Sequence, residues 1–319
     1  MRLARLFLTV ATAIAPNFAV ATPPAIITDI AVVQSLVAIV LGDVGTAGVL
    51  LPPGADAHSY QLRPSQAAAL QQADILFWVG ETLSPWLGRT VEGAGLKGHS
   101  VELLDAPGTH LRNFGAQEPH DHDHEAEETH DHEAQTQAEP DEHSHDGLDP
   151  HAWLDPANGS AWLAQIAAEL AAADPANAAT YAANAAAGAA RLQALDGEIA
   201  NSLAPVADQP FVVFHDAYGY FADHFGLHVA GALNEGDASA PGAAHLTELR
   251  AELSAGAIVC AFPEAGHDPH QLALMLEGTP VRAGEVLDPT GSMLDAGAGL
   301  YEAMLRDLAI TLADCLAPR

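Results

Sequence analysis

DPANAATYAANAAAGAARLQALDGEIANSL, from Asp174 to Leu203, is the stretch that decides the architecture. Asp174 followed by Pro175 is a helix start, with an N-cap acceptor and a proline at the first helical position. From there Tyr181, Ala185, Leu192, Leu195, Ile199 and Leu203 keep helical spacing. The stretch is alanine-rich and meets no proline until Pro205. A helix from Pro175 to Leu203 is about 43 Å long. That exceeds an ordinary crossover and suits a stiff connector between two lobes.

On both sides of this helix, strand and helix patterns alternate. Before it, Ile26–Ile30 reads as a strand and the next dozen residues as a helix. Gly48–Leu51 is a short strand, and Pro64 opens a helix running through Leu70. Ile75–Val79 is a continuous apolar strand of the buried parallel type, and Val101–Leu104 is another strand. After the connector come strands at Phe211–His215, Leu227–Ala230 and Ala257–Phe262. Helices are expected at Ala217–Phe225, His245–Leu253 and Leu300–Leu316. Alternating β and α with short links predicts parallel sheets covered by helices. The expected fold is α/β, two parallel-sheet lobes joined by one long rigid helix. The lobes fall at 22–174 and 204–319, with the connector at 175–203.

The chain has 319 residues, 11 Lys+Arg against 42 Asp+Glu, a formal net charge of −31 and 17 histidines. So acidic a chain repels nucleic-acid phosphates and anionic lipid surfaces, whereas cations are natural partners. Residues 1–21 read as a secretory signal. Arg2 and Arg5 form a basic start, Leu6–Ala15 an apolar run too short to span a bilayer, and Ala19-Val20-Ala21 a cleavage site. The alternative is a first buried helix. Cleavage after Ala21 predicts an exported, periplasmic protein. Two cysteines exist, Cys260 in an apolar strand and Cys315 at the end of the last helix. An even pair in an exported chain favours a disulfide, with two unpaired core thiols as the alternative.

Residues 118–146 differ from everything around them. They hold 12 Asp/Glu and 7 His, no Lys or Arg, and, prolines apart, no apolar side chain larger than alanine. Such a segment cannot bury enough surface to offset its ordering entropy, so a disordered His-rich loop is expected. Its histidines are His120, His122, His124, His130, His132, His143 and His145. Set among aspartates, they suit weak zinc collection with low geometric definition; a solvated acidic linker is the bland alternative.

In parallel α/β sheets, ligands bind at the carboxyl ends of the strands. His58, His151 and His215 fall at or just beyond such ends, and so does Asp288. Three neutral imidazoles and a carboxylate form a set suited to Zn²⁺. Singly, each residue is a weak signal, since strand-end histidines are often structural and Asp-Pro is usually a turn.

Four ordered motifs then resemble a known family. They are Pro53-Gly54-Ala55-Asp56-Ala57-His58-Ser59-Tyr60 with Arg63-Pro64-Ser65, Asp149-Pro150-His151-Ala152-Trp153-Leu154, Phe214-His215-Asp216-Ala217-Tyr218 and Leu287-Asp288-Pro289-Thr290-Gly291. Together they resemble the ZnuA-like zinc-binding proteins of bacterial ABC importers, from about Ile26 to Leu316. The resemblance implies metal binding by His58, His151 and His215, with Asp288, a water or a loop histidine as fourth ligand. Manganese relatives usually carry glutamate at the position of His215, so histidine here implies zinc. A C-lobe disulfide is also implied, matching Cys260 and Cys315. The implied function is periplasmic capture of Zn²⁺ by a monomer that delivers it to an inner-membrane ABC permease and its ATPase. A periplasmic zinc chaperone is a further partner. Ala57 departs from the family pattern, where proline or an acidic residue is common.

Two other readings compete with a non-enzymatic carrier. A secreted zinc hydrolase would use the same three histidines with Glu264 as base, although no H-E-x-x-H motif is present. A manganese- or zinc-binding buffer or adhesin would need no transporter.

Overall fold

The computed structural model describes residues 23–94, 96–115, 147–234, 236 and 241–318. The expected signal at 1–21 and the His-rich segment 118–146, with its seven histidines, lie outside the described residues.

The first lobe carries β1 (Ile26–Thr28), β2 (Ala47–Val49), β3 (Ile75–Trp78) and β4 (His99–Glu102). They form a parallel sheet in the order β2-β1-β3-β4. Its helices are α1 (Ala31–Leu41), α2 (Pro64–Gln72), α3 (Pro85–Ala94) and α4 (Pro156–Ala173). The second lobe carries β5 (Phe211–His215), β6 (Val229–Asn234), β7 (Cys260–Ala261) and β8 (Arg282–Ala283), in the order β6-β5-β7-β8. Its helices are α6 (Gly219–Phe225), α7 (Ala243–Ala255), α8 (Pro269–Leu276) and α9 (Leu300–Leu316). Both sheets are parallel and share one topology, so each presents its strand ends as a ligand-binding edge.

Between the lobes runs α5 (Ala178–Leu203), preceded by a 3-10 turn over Pro175–Asn177. The helix therefore starts three residues later than Pro175. Asp174 explains the tight turn, because its carboxylate accepts from Asn177 Nδ2 and Tyr181 Oη at 2.7 and 2.8 Å. The buried face is the expected set, Tyr181, Ala185, Leu192, Leu195, Ile199 and Leu203, with Gly188 added. A Cβ at Gly188 would sit 2.7 Å from Ile39 and 2.9 Å from Leu163, so glycine allows α5 to approach α1 and α4 closely. The connector is not a free rod: it packs along α1, α4 and α9. A single apolar core runs through both sheets and these helices, with a smaller cluster around Val212, Phe214 and Leu249 beneath α7 and α8.

Strand limits differ from the sequence reading by up to a few residues. Leu50 and Leu51 lie beyond β2 yet donate to Thr28 and Asp29 carbonyls, and Leu103 and Leu104 likewise extend the pairing of β4. The Leu227–Ala230 strand is displaced to Val229–Asn234, and the Ala257–Phe262 strand narrows to Cys260–Ala261. Helices α3, α4 and α8 and strand β8 have no counterpart in the sequence reading. Cys260 and Cys315 form a disulfide that pins α9 to β7. With a separation of 55 residues, loop closure contributes about 4 kcal/mol on the chain-entropy model.

Polar contacts also cross between the lobes. Tyr301 on α9 donates from its backbone to Ser35 Oγ and from its hydroxyl to the Trp153 carbonyl, at 3.0 and 2.7 Å. On α6, His224 Nδ1 lies 3.0 Å from Asp155 Oδ1, and its Nε2 lies 2.6 Å from Asp196 Oδ1 on α5. The hydrogen bond to Asp155 raises the His224 pKa, partial burial opposes it, and Asp196 adds to the rise, giving about 9. An unfolded histidine titrates at about 6.5. The stabilisation is thus fully present below that pH and is lost as pH rises through about 9. His224→Gln should therefore lower the melting temperature at pH 6 by more than at pH 10. Equal gaps at the two pH values in thermal unfolding would refute this.

Candidate metal centre

The loop after β2, the turn before Ala152 and the last residue of β5 bring His58, His151 and His215 together. Their candidate ligand atoms all lie within 4.8 Å of one another. The ring centroids are 5.4 Å apart for His58 and His151, 5.6 Å for His58 and His215, and 4.9 Å for His151 and His215. His151 and His215 are buried and His58 is partly so.

Each imidazole is positioned by its own surroundings. His58 follows a turn closed by Asp56, whose carboxylate accepts from the His58 backbone N–H at 2.9 Å and from Ser59 Oγ at 2.6 Å. The preceding carbonyl, Ala57, is gripped by Trp86 Nε1 and Ser84 Oγ at 2.8 and 3.1 Å. His151 Nδ1 sits 2.8 Å from Asp149 Oδ1, and the same oxygen accepts from the His151 backbone at 3.0 Å. Asp149 is held in turn by Arg112 Nη1 at 2.8 Å. His215 closes β5, and its Nδ1 lies 3.3 Å from Glu264 Oε1. A carboxylate on Nδ1 fixes the ring and raises the basicity of the opposite nitrogen, the usual support of a metal-binding histidine.

Glu264, named from the sequence only as the base of the hydrolase alternative, stands beside the cluster. It is 6% exposed and touches His215, His267 and Tyr218, the last through a 2.9 Å bond from the phenol. Burial pushes its carboxyl up, but the hydrogen bonds from His215, His267 and Tyr218 outweigh this and hold its pKa at about 2. Burial and then the Glu264 charge raise the Tyr218 hydroxyl well above its ordinary value, so it remains a donor. With both carboxylate oxygens held by these groups, Glu264 orients and charges the site.

The cluster within 4.8 Å comprises the three histidines and not Asp288, one of the fourth ligands expected from the sequence. Its Oδ1 accepts from Thr290 Oγ1, Ser292 N and Ser292 Oγ at 3.2, 3.0 and 3.1 Å, and its Oδ2 from Met293 N at 2.7 Å. The carboxylate closes its own turn, as aspartate before proline commonly does. The following residue does reach across the lobes, because Trp153 Nε1 donates to the Pro289 carbonyl at 2.7 Å. His267 borders the centre through Glu264, whereas Asp268 caps α8.

Two lobes built on a shared helical backbone and meeting at a cluster of imidazoles follow the plan of the metal-binding solute-binding proteins. The chain belongs within that class to the ZnuA family, matching the family model "Zinc-uptake complex component A periplasmic" over residues 26–315. It is 51% identical to the "High-affinity zinc uptake system protein ZnuA" of Paracoccus denitrificans, over 92% of each chain. With the protein of the same description from Brucella suis it shares 38% identity, over 92% of this chain and 91% of that one. Among solved structures, the periplasmic zinc-binding protein TroA of Treponema pallidum superposes with a TM-score of 0.74 at 21% identity, covering 92% of this chain and 99% of TroA. A zinc-bound ZnuA deletion mutant gives 0.74 at 24% identity, over 93% and 99% of the two chains. At these identities the superpositions speak for the fold.

Proposed function

We propose that this protein captures Zn²⁺ in the periplasm and passes it to an inner-membrane ABC permease driven by its ATPase. The observation that carries the reading is the convergence of three imidazoles within 4.8 Å, two of them backed by carboxylates. Three nitrogen ligands with room for one more suit zinc, whereas manganese favours oxygen-rich sets. His58, His151 and His215 hold the ion, and Asp149 and Glu264 orient two of the rings. Membership of an uptake family speaks against the hydrolase reading. In this scheme the chain is exported by cleavage after Ala21, works as a monomer and accepts zinc from a periplasmic chaperone. Deleting its gene should slow growth when zinc is chelated, with recovery on adding zinc. Normal growth of the deletion strain under chelation would leave only a buffering or adhesive role.

The histidines of 118–146 supply additional weak sites that feed the centre. Chain on either side of that segment is already paired: Phe114 N donates to the Gly147 carbonyl, Asp149 N donates to the Arg112 carbonyl, both at 3.0 Å, and Asn113 bridges Leu148. Excising 118–146 should therefore leave one tight zinc site and an unchanged melting temperature, while removing weaker zinc equivalents. Calorimetric titration and thermal unfolding of the deletion protein check this. Loss of the tight site would refute it.

A further inference from the structure

The metal centre opens into a cavity of ≈ 780 Å³. One end is formed by the three histidines. The other runs into the second lobe, between the ends of β5 and β6 and the helices α7 and α8, where Leu233, Leu246, Leu274 and Met275 form the wall. An ion with one bound water needs a small part of this, since a water occupies about 30 Å³. The volume falls instead in the range of about 300–1,000 Å³ typical of small-molecule pockets.

We propose that the centre accepts zinc as a complex with a small, uncharged chelator, whose body lies in this cavity. The inference rests on the zinc reading above and deepens it. Three histidines leave zinc a fourth position, and the ion expands to five. Asp288 is committed to its own turn, so the remaining positions face the cavity. Beside the histidines, the buried Phe214 ring packs against the His267 ring, with centroids 4.5 Å apart at 30°, and both border the cavity. Among the described lining residues the charged groups are the carboxylates Asp56 and Glu264, and no Lys or Arg is present. That lining offers a polycarboxylate no cationic side chain to pair with and admits an uncharged ligand.

The test uses the full chain loaded with one zinc, titrated with 2,2′-bipyridine or citrate and followed by native mass spectrometry and calorimetry. Bipyridine should form a 1:1:1 complex with protein and zinc, and citrate should not. Leu246→Trp narrows the cavity from the α7 side without touching the histidines. It should keep its zinc affinity within twofold and lose at least tenfold in bipyridine affinity. Leu274→Trp, on the α8 wall at a position 62% exposed, is the second variant should the first not fold. Absence of the ternary complex, an equally stable citrate complex, or a tryptophan variant that binds bipyridine as wild type does would each overturn the proposal. Zinc alone failing to bind the wild type would instead overturn the uptake reading beneath it.

Discussion

Alanine in place of His58, His151 or His215 should weaken zinc binding on the order of a thousandfold, about 4 kcal/mol. Each imidazole supplies one of three nitrogens grouped within 4.8 Å. The described residues hold no substitute in the cluster, because the Asp288 carboxylate is turned into its own loop. Loss of a supporting carboxylate should cost less. Asp149→Asn keeps a hydrogen-bond acceptor for His151 but removes its charge, and a 10–100-fold weakening is the usual scale for such partners. Titration calorimetry of the four variants gives the comparison. Near wild-type affinity in the three histidine variants would refute the assignment of the site, and equal losses in all four would refute the graded scheme. Protons compete with zinc for the imidazole nitrogens, so wild-type affinity should also fall in acid.

The second large effect is expected at Arg112, which lies between the lobes. Its guanidinium reaches Asp149 at 2.8 Å and Asp223 on α6 at 3.0 Å, and its backbone N–H donates to Tyr220 Oη at 2.9 Å. The Asp149 side chain is fully buried and that of Arg112 is 10% exposed. Arg112→Ala leaves Asp149 charged in a dry site, a change that typically costs about 3–5 kcal/mol. It also frees the carboxylate that aligns His151, so zinc affinity should fall together with stability. Arg112→Ala combined with Asp149→Ala removes both charges and should regain part of the stability but not the affinity. Denaturant unfolding and zinc titration of the single and double variants separate the two effects. A single variant as stable as wild type would refute the role of this ion pair. Gly219 belongs to the same arrangement: a Cβ there would stand 1.4 Å from Arg112 Nη1.

The legibility of these parts in the sequence follows the range of the interactions that make them. The buried strands around Ile75 and Phe211 announce themselves because both faces are covered, and the connector because its apolar positions recur at helical spacing. Asp155-Pro156 carries the same start signal for α4 that Asp174-Pro175 carries for the connector. In α4 the Asp155 carboxylate does cap the helix, accepting from Ala157 N at 2.8 Å. Of the three histidines, His215 does end a strand, whereas His58 lies in the loop after β2 and His151 precedes a 3-10 turn. Asp288, expected as a fourth ligand, makes the short turn hydrogen bonds that render aspartate common before proline. Glu264 and Arg112 lie 49 and 37 residues from the partners they serve, His215 and Asp149, and no local pattern encodes such pairings.

The core that passes without interruption through both sheets and α5 makes the chain one thermodynamic unit. The C-terminal helix α9 rests on α1, near the start of the described chain, as well as on α5. A fragment ending after the connector would therefore lose the cover of its own first helix and expose an apolar face. The lobes have the outline of two domains but not the independence of two domains. Heating should melt them in one cooperative transition, with calorimetric and van't Hoff enthalpies in agreement. Damage to either lobe is then felt at the metal centre between them through global stability, even where no ligand has moved.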